Sequence, residues 1–129
     1  MYPNFDTIVE IYNAKKVCHQ NDGDIIGYMC IDFSGEPAYD DIKGAWRRDT
    51  PYAVIHRMAF SQKARGKGIA GIAFDLIERF CLEQGVRNIR VDTDFPNKRM
   101  QHILEKQGFV HCGVIVFQGG EKLAYDKLL

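Results

Sequence analysis

The stretch RGKGIAG, residues 65–71, decides between two folds because its glycines can be read in two ways. Read as G-x-G-x-x-G from Gly66, it has the spacing of a dinucleotide-binding turn. Read as R-x-x-G-x-A from Arg65, it is the phosphate-holding turn of another class of enzyme. Both readings place an anion at the N-terminus of the helix predicted to follow, but they imply different chemistry.

The chain on either side of this stretch argues against the dinucleotide reading. In its favour, a strand precedes the turn, and Asp92 ends the next strand at about the distance expected of a ribose-binding acid. Against it, the residues SQKAR separate the strand from the first glycine. Predicted hairpins also flank the motif on both sides, which leaves too few βα units for a doubly wound sheet. A Walker A loop is excluded because no G-K-S or G-K-T follows at the required spacing.

Local positive charge favours the phosphate-holding reading. Residues 57–74 contain four cationic side chains and no acidic one, although the whole chain has a formal net charge of zero. These four are Arg57, Lys63, Arg65 and Lys67. Unpaired backbone N–H groups at the helix start would point into the same space, where Gly66 and Gly68 remove the Cβ atoms that would obstruct a pyrophosphate. The alternative is a glycine-rich loop that only caps a helix.

The hydrophobic pattern predicts a single α+β domain with a mixed sheet over residues 1–129. The predicted order is helix, strand, strand, strand, helix, strand, helix, strand, strand. Residues 4–16 are predicted to form a short amphipathic helix, because their apolar side chains recur at helical spacing. The turn sequences NDGD and QGG predict two hairpins, one before and one after the central motif.

Two helices are predicted around the strand VRNIRVDT. The first follows the glycine-rich stretch, with an apolar stripe of period 3.6, and is closed by Gly85. The second runs from about Asn97 to Gln107, with Gly108 as its C-terminal stop. Residues 34–51 are rich in turn formers and are predicted to be a loop or a broken helix with two exposed aromatic residues.

Composition narrows the classes of function. The zero net charge gives no support to nucleic acid or an anionic membrane as a partner, and no apolar stretch approaches membrane-spanning length. The four cysteines are far apart and form no C-x-x-C pair, so they are predicted to be reduced, mostly buried thiols of a cytoplasmic protein. The histidines are too scattered to predict a metal site, and none is expected.

At this point the sequence resembles the GNAT family of N-acetyltransferases, from about Gly23 to the C-terminus. The turn matches the family signature [Q/R]-x-x-G-x-[G/A], and Asn97 followed by EKQGF is similar to its second conserved segment. The resemblance implies the acyl-CoA N-acyltransferase fold, with a central, mostly antiparallel mixed sheet flanked by helices. It also places the start of this chain late in the family pattern, with the first strand and helix short or missing.

The resemblance implies acetyl-coenzyme A as the donor cosubstrate, without a metal. Its pyrophosphate would lie on the turn, and its pantetheine arm would pair like an extra strand with the strand before the turn and hydrogen-bond Asn97. The implied coenzyme-binding residues are Met58, Ala59, Phe60, Lys63, Arg65, Gly66, Lys67, Gly68, Ile69, Ala70 and Asn97.

Family members usually transfer the acetyl group directly to an amine. His56 is the first candidate for the base, because it lies in the strand that would meet the thioester and imidazole titrates in the right range. Asp92 and Asp94 are the next candidates, although either could be structural. A backbone N–H of Met58 or Phe60 is expected to bind the developing oxyanion.

One residue departs from the family pattern. Leu104 stands where the family commonly has a tyrosine that protonates the departing thiolate. A thiol has a pKa of roughly 8.5, so a thiolate leaves without a strong acid. Tyr125 or Tyr28 could substitute.

The sequence thus predicts an acetyl-CoA-dependent N-acetyltransferase acting on a primary amine of a small molecule or peptide. Residues 34–51 are candidates for an acceptor wall, because the aromatic rings of Tyr39 and Trp46 and the carboxylates of Glu36, Asp40 and Asp41 suit a cationic amine. The alternative is a solvated loop pinned by its two aromatic residues. The rival hypothesis is a catalytically weak CoA-binding regulatory or interaction module. A homodimer is expected, in which a neighbouring subunit covers an exposed sheet edge.

Overall fold

The computed structural model describes the backbone of residues 7–12, 15–20, 25–61 and 68–129, and within these ranges the side chains from Gly27 onward. The elements in chain order are β1 (Thr7–Tyr12), β2 (Lys15–Gln20), β3 (Ile25–Asp32), a 3₁₀ turn (Pro37–Asp41), β4 (Lys43–Gly44), β5 (Ala53–Phe60), α1 (Ile69–Glu83), β6 (Asn88–Asp94), α2 (Lys98–Lys106), β7 (Val110–Phe117) and β8 (Gly120–Leu128).

The strands form one sheet in the order β1-β2-β3-β5-β6-β8-β7-β4. Every neighbouring pair is antiparallel except β5 and β6, which are parallel and are connected through α1. A parallel pair needs a crossover, and the helix after the glycine-rich stretch supplies it. The predicted α+β class with a mostly antiparallel mixed sheet is confirmed.

The helix predicted at residues 4–16 is wrong. The structure has β1 in this region, and β1 pairs with β2 from Thr7↔Gln20 to Tyr12↔Lys15. The sequence TIVEIY consists mainly of β-branched and aromatic residues, which favour a strand. A short apolar run fits both the helical and the strand period, and pairing with a partner strand decides between them.

The two helices lie where the sequence predicts them. The chain has positive φ at Gly85 (77°) and Gly108 (89°), each two residues after the last residue of a helix, which is the conformation that ends a helix. Asn97 is the N-cap of α2, and its side-chain oxygen accepts a hydrogen bond from the Met100 N–H at 3.1 Å. Local capping signals therefore fix both boundaries.

Each face of the sheet is covered by a separate apolar cluster. On one face, buried side chains of α1 and α2, including Leu104, pack against Ile55 and Val91. On the other face, the segment of residues 34–52 places Tyr39 against Val54. No helix among the described residues is long and apolar enough to cross a membrane.

A few contacts pin the segment of residues 34–51 to the sheet, although most of its residues are exposed. Its aromatics are not exposed as predicted, because Tyr39 is fully buried and the Trp46 indole N–H donates to the Tyr39 carbonyl at 2.9 Å. The backbone N–H and the Nε of Arg47 donate to the carboxylate of Asp126, which is fully buried in β8. These contacts fix the segment as a second layer over the sheet.

Candidate active site

The parallel strands β5 and β6 separate halfway along their length. They pair only where residues 53–55 lie beside residues 89–91, yet β5 continues to Phe60 and β6 to Asp94. The peptide groups of a strand point alternately to its two sides, so beyond Ile55 every second N–H of β5 faces the side that β6 has left. An extended ligand can pair with this free edge as an added strand would.

A β-bulge marks the point of separation. In the pairing of β3 with β5, Ile31 lies opposite Ile55 while Cys30 lies opposite Arg57, so His56 is the extra residue. A bulge bends its strand and changes the direction of the side chain it carries. Here it places an exposed histidine at the mouth of the opening between the strands.

A cavity of about 360 Å³ fills this opening. It brings together all three predicted catalytic side chains and two of the predicted coenzyme-binding residues. Its lining consists of Tyr28, His56, Arg57, Met58, Asp92, Thr93, Asp94, Asn97, Met100, Phe117, Gln118 and Lys122. We call it the catalytic cavity. Ala59 is exposed on β5 and is not part of this lining.

His56 has an acidic partner on the neighbouring strand that the sequence analysis missed. Its Nε2 lies 3.5 Å from Oδ2 of Asp32, the last residue of β3. The pKa of Asp32 is held below its ordinary value, first by the Ser34 hydroxyl at 2.5 Å and the Ser34 N–H at 2.7 Å, and then by the charge of His56. Asp32 thus places a carboxylate oxygen next to the imidazole at the edge of the cavity.

Asp92 is half-buried in the catalytic cavity and also holds the second layer. Its Oδ1 accepts a hydrogen bond from the buried Tyr39 hydroxyl at 2.6 Å. Burial raises the pKa of Asp92, while the Tyr39 hydrogen bond and the charges of Lys122 and His56 act in the opposite direction. Asp92 therefore anchors the segment that carries Tyr39 and also lines the catalytic cavity.

Asp94, the third predicted catalytic residue, and Asn97, a predicted coenzyme-binding residue, also interact with neighbouring residues. Asp94 forms an ion pair with Lys122, which lies opposite it in the pairing of β6 with β8. Asn97 uses its side-chain oxygen to cap α2, which fixes the orientation of its amide group at the edge of the cavity. Both side chains thus have a defined position from which to contact a ligand.

A second cavity, of about 460 Å³, lies between the start of α1 and one side of α2. Phe60, Gly68, Ile69 and Ala70, all predicted coenzyme-binding residues, line it. The predicted residues Lys63, Arg65, Gly66 and Lys67 lie outside the described residues. Gly68 is the N-cap of α1 with φ 69°, a conformation that favours glycine. We call this the coenzyme cavity.

One side of α2 is basic, a feature that was not predicted. Arg99, His102 and Lys106 line the coenzyme cavity, and its described lining includes no acidic side chain. Their spacing of three and four residues places them on one side of the helix, which was the available signal. Together with the N–H groups of the first turn of α1, which have no partner within the helix, they make this cavity suitable for an anion.

The two tyrosines suggested as a general acid have different positions in the structure. Leu104 is fully buried in the core, and Tyr125 is also buried, with its pKa raised mainly by burial. Tyr28 lines the catalytic cavity from β3. Of the two tyrosines suggested by the sequence, Tyr28 is therefore the one that can contact a ligand there.

The segment of residues 34–51, predicted as a candidate acceptor wall, does not line the catalytic cavity. None of its proposed residues is in the lining, because Tyr39 and Trp46 are used to pack the opposite face of the sheet. The guanidinium of Arg90 lies 4.5 Å from the ring centroid of Trp46 and 4.0 Å from that of Tyr52. The Trp46 ring, one of the two rings proposed to bind an amine, therefore already contacts a cation of the chain itself.

Comparison with known proteins agrees with this geometry. The acetyltransferase (GNAT) family profile matches residues 3–109, and the chain belongs to this family. Its structure is similar to a GNAT acetyltransferase of Streptococcus agalactiae 2603, with a TM-score of 0.76, 31% identity, and coverage of 90% of this chain and 65% of that one. No curated protein matches the sequence.

Two further structures share the fold. A candidate acetyltransferase of Staphylococcus aureus MU50 has a TM-score of 0.68 and 28% identity, covering 89% of this chain and 71% of that chain. A nourseothricin acetyltransferase has a TM-score of 0.68 and 17% identity, covering 96% and 85%; at this identity the likeness concerns the fold alone. The chain thus spans 65% and 71% of the length of the first two.

Proposed function

We propose that this chain is an acetyl-CoA-dependent N-acetyltransferase that acts on a primary amine of a small molecule or peptide. The observation that carries the proposal is the separation of β5 from β6, beside which β5 contributes Phe60 to a cavity suited to an anion and His56 to a cavity that also holds Asp92. Acetyl-CoA, as cosubstrate, would supply the activated thioester. The chain's residues would bind it, orient it and move protons.

The coenzyme cavity fits the charged part of the cosubstrate. The N–H groups of residues 68–70 and the side chains of Arg99 and Lys106 would hold its phosphates. The free edge of β5 after Ile55 would hold the amide-containing arm, and an N–H of Met58 would donate to the oxyanion.

The catalytic cavity supports two roles toward an amine. The carboxylate of Asp92 would attract the ammonium form of the acceptor amine, because charges interact more strongly at a half-buried position than in bulk water. Among the described side chains Tyr39 donates one hydrogen bond to this carboxylate, which leaves it able to accept another from the amine. His56 would accept the proton, with Asp32 stabilising the imidazolium that forms. Solvent or Tyr28 would protonate the thiolate, since Leu104 cannot.

A second candidate function is CoA binding without catalysis. It is favoured by Leu104, because the position where family members commonly carry a tyrosine holds a fully buried aliphatic side chain. In that case the coenzyme cavity would bind CoA, and no acetyl transfer would take place in the catalytic cavity.

Amine-dependent release of CoA thiol from acetyl-CoA distinguishes these functions. The panel comprises polyamines, amino acids, short peptides, aminoglycosides and nourseothricin. We expect turnover with at least one amine and a loss of about a hundredfold in His56→Gln, as is typical for removing a general base. The matched control is His111→Gln, since His111 lies on β7 against Tyr125. Tight acetyl-CoA binding with no turnover would support the binding module instead.

A further inference from the structure

The β7–β8 hairpin has an unusual residue at its tip. Phe117 pairs with Gly120, so the loop consists of Gln118 and Gly119 alone. Both have positive φ, 51° and 77°. A two-residue loop with two positive φ values is the turn in which asparagine followed by glycine is preferred. Gln118 is the only residue other than glycine with positive φ in the described part of the chain.

The fold gives no structural reason for glutamine at this position. Gln118 is exposed, and its side chain forms no hydrogen bond with another described residue. Asparagine or glycine would adopt the same backbone with less steric conflict. A residue held in a disfavoured conformation indicates a functional use of its side chain when that side chain also lies in a site.

Gln118 lies in such a site. It lines the catalytic cavity beside Phe117, in the same lining as His56 and Asp92. Lys122 of the same hairpin forms the ion pair with Asp94, which ties the hairpin to the end of β6. The hairpin tip is therefore a wall of the space in which the proposed reaction takes place.

We infer that Gln118 selects the acceptor. Its amide carries both hydrogen-bond donors and an acceptor, so it would bind a hydroxyl or amide group adjacent to the reacting amine. The acceptor class is thus an amino alcohol or amino amide, such as a short peptide terminus, rather than a plain alkylamine. The inference rests on the proposed function, because it assumes that an amine is acetylated in the catalytic cavity.

The test uses Gln118→Gly and Gln118→Asn with acceptors of matched skeleton. Glycinamide is compared with isobutylamine, and 2-aminoethanol with n-propylamine. Wild-type protein should show a higher kcat/KM for the polar member of a pair. Gln118→Gly should reduce this preference by about tenfold, as expected for one lost hydrogen bond in a binding site, with the KM for acetyl-CoA unchanged.

Stability gives a second readout that a purely structural role would not produce. Both variants should raise Tm, by about 2–5 °C, because they relieve the backbone conflict. Gln84→Asn is the matched control, since Gln84 is exposed, has φ −85° and lies at the C-terminus of α1. It should change neither acceptor preference nor acetyl-CoA KM.

The outcomes separate the inference from the proposed function. If the wild type acetylates other amines of the wider panel but shows no polar preference in these pairs, or no turnover of them, the inference is overturned and the proposed function stands. Unchanged preference in Gln118→Gly, or a fall in Tm in both variants, also overturns it. If no amine is acetylated at all, the proposed function fails first, and the inference fails with it.

Discussion

Replacing Tyr39 with phenylalanine tests how the second layer of the fold controls the catalytic cavity. The substitution removes one oxygen atom and keeps the ring, so the packing of the buried side chain is retained. It deletes the hydrogen bond of 2.6 Å from the Tyr39 hydroxyl to the Asp92 carboxylate. A buried hydrogen bond to a charged group contributes about 1.5–3 kcal/mol, so we expect a loss of this size in the free energy of unfolding near neutral pH.

The loss should depend on the charge of Asp92. In an Asp92→Asn background, Tyr39→Phe removes only a neutral hydrogen bond and should cost about 0.5–1.5 kcal/mol. The double-mutant cycle, measured by urea denaturation, gives the difference. Tyr52→Phe is the matched control, since the Tyr52 hydroxyl accepts a neutral bond from the Glu36 N–H at 3.2 Å. Equal costs of Tyr39→Phe in both backgrounds would refute the reasoning.

The same variant has a pH signature. Because burial raises the pKa of Asp92 above its ordinary value of 3.8, the folded state binds this proton more tightly than the unfolded chain. Its contribution to the free energy of unfolding therefore decreases as pH rises from about 3.8 through the folded pKa. Removing the Tyr39 hydroxyl raises that pKa further, so this decrease should extend to higher pH. If the decrease ends at a lower pH in Tyr39→Phe than in the wild type, measured by urea denaturation across pH, this account is contradicted.

Three further variants test other parts of the structure. Arg47→Ala should cost about 2 kcal/mol in chemical denaturation, because it leaves the buried carboxylate of Asp126 without its cation, and solvent around the half-exposed arginine moderates the loss. Gly44→Ala should cost about 1–3 kcal/mol, since its Cβ would lie 2.2 Å from a carbonyl oxygen of β7. In calorimetric titration, Lys106→Ala should weaken acetyl-CoA binding about fivefold by removing a phosphate contact, while Lys98→Ala, which lies outside the coenzyme cavity, should not.

The helices were predictable because their signals are local. An apolar stripe and a glycine within two residues of its end specify each one, and both glycines have the expected positive φ. The first strand was not predictable in this way. Its apolar residues fit two periods, and only pairing with β2, which sequence periodicity does not reveal, determines that it is extended.

The candidate site shows the same division. The sequence predicted His56, Asp92 and Asn97 because they lie in the strand before the turn motif, in the next strand, and at the start of the next helix. The structure places all three in one cavity. Asp32 and Gln118 were missed because they come from β3 and the β7–β8 hairpin, which reach the cavity only through the sheet order. The Gln-Gly pair did predict a turn, but nothing in the sequence indicates which cavity that turn faces.

The position of the candidate active site follows from which residues of β5 are buried. Its first three residues, AVI, are all buried, because Ala53 and Ile55 face the cluster under α1 while Val54 faces the second layer. These same residues pair with β6. From His56 onward the side chains are exposed or half-buried, and β6 has left. A strand that is buried on both faces requires a partner on each edge, whereas a strand that emerges from its layers can leave an edge free for a ligand. The change from AVI to HRMAF therefore marks the point where structural pairing stops and binding can begin.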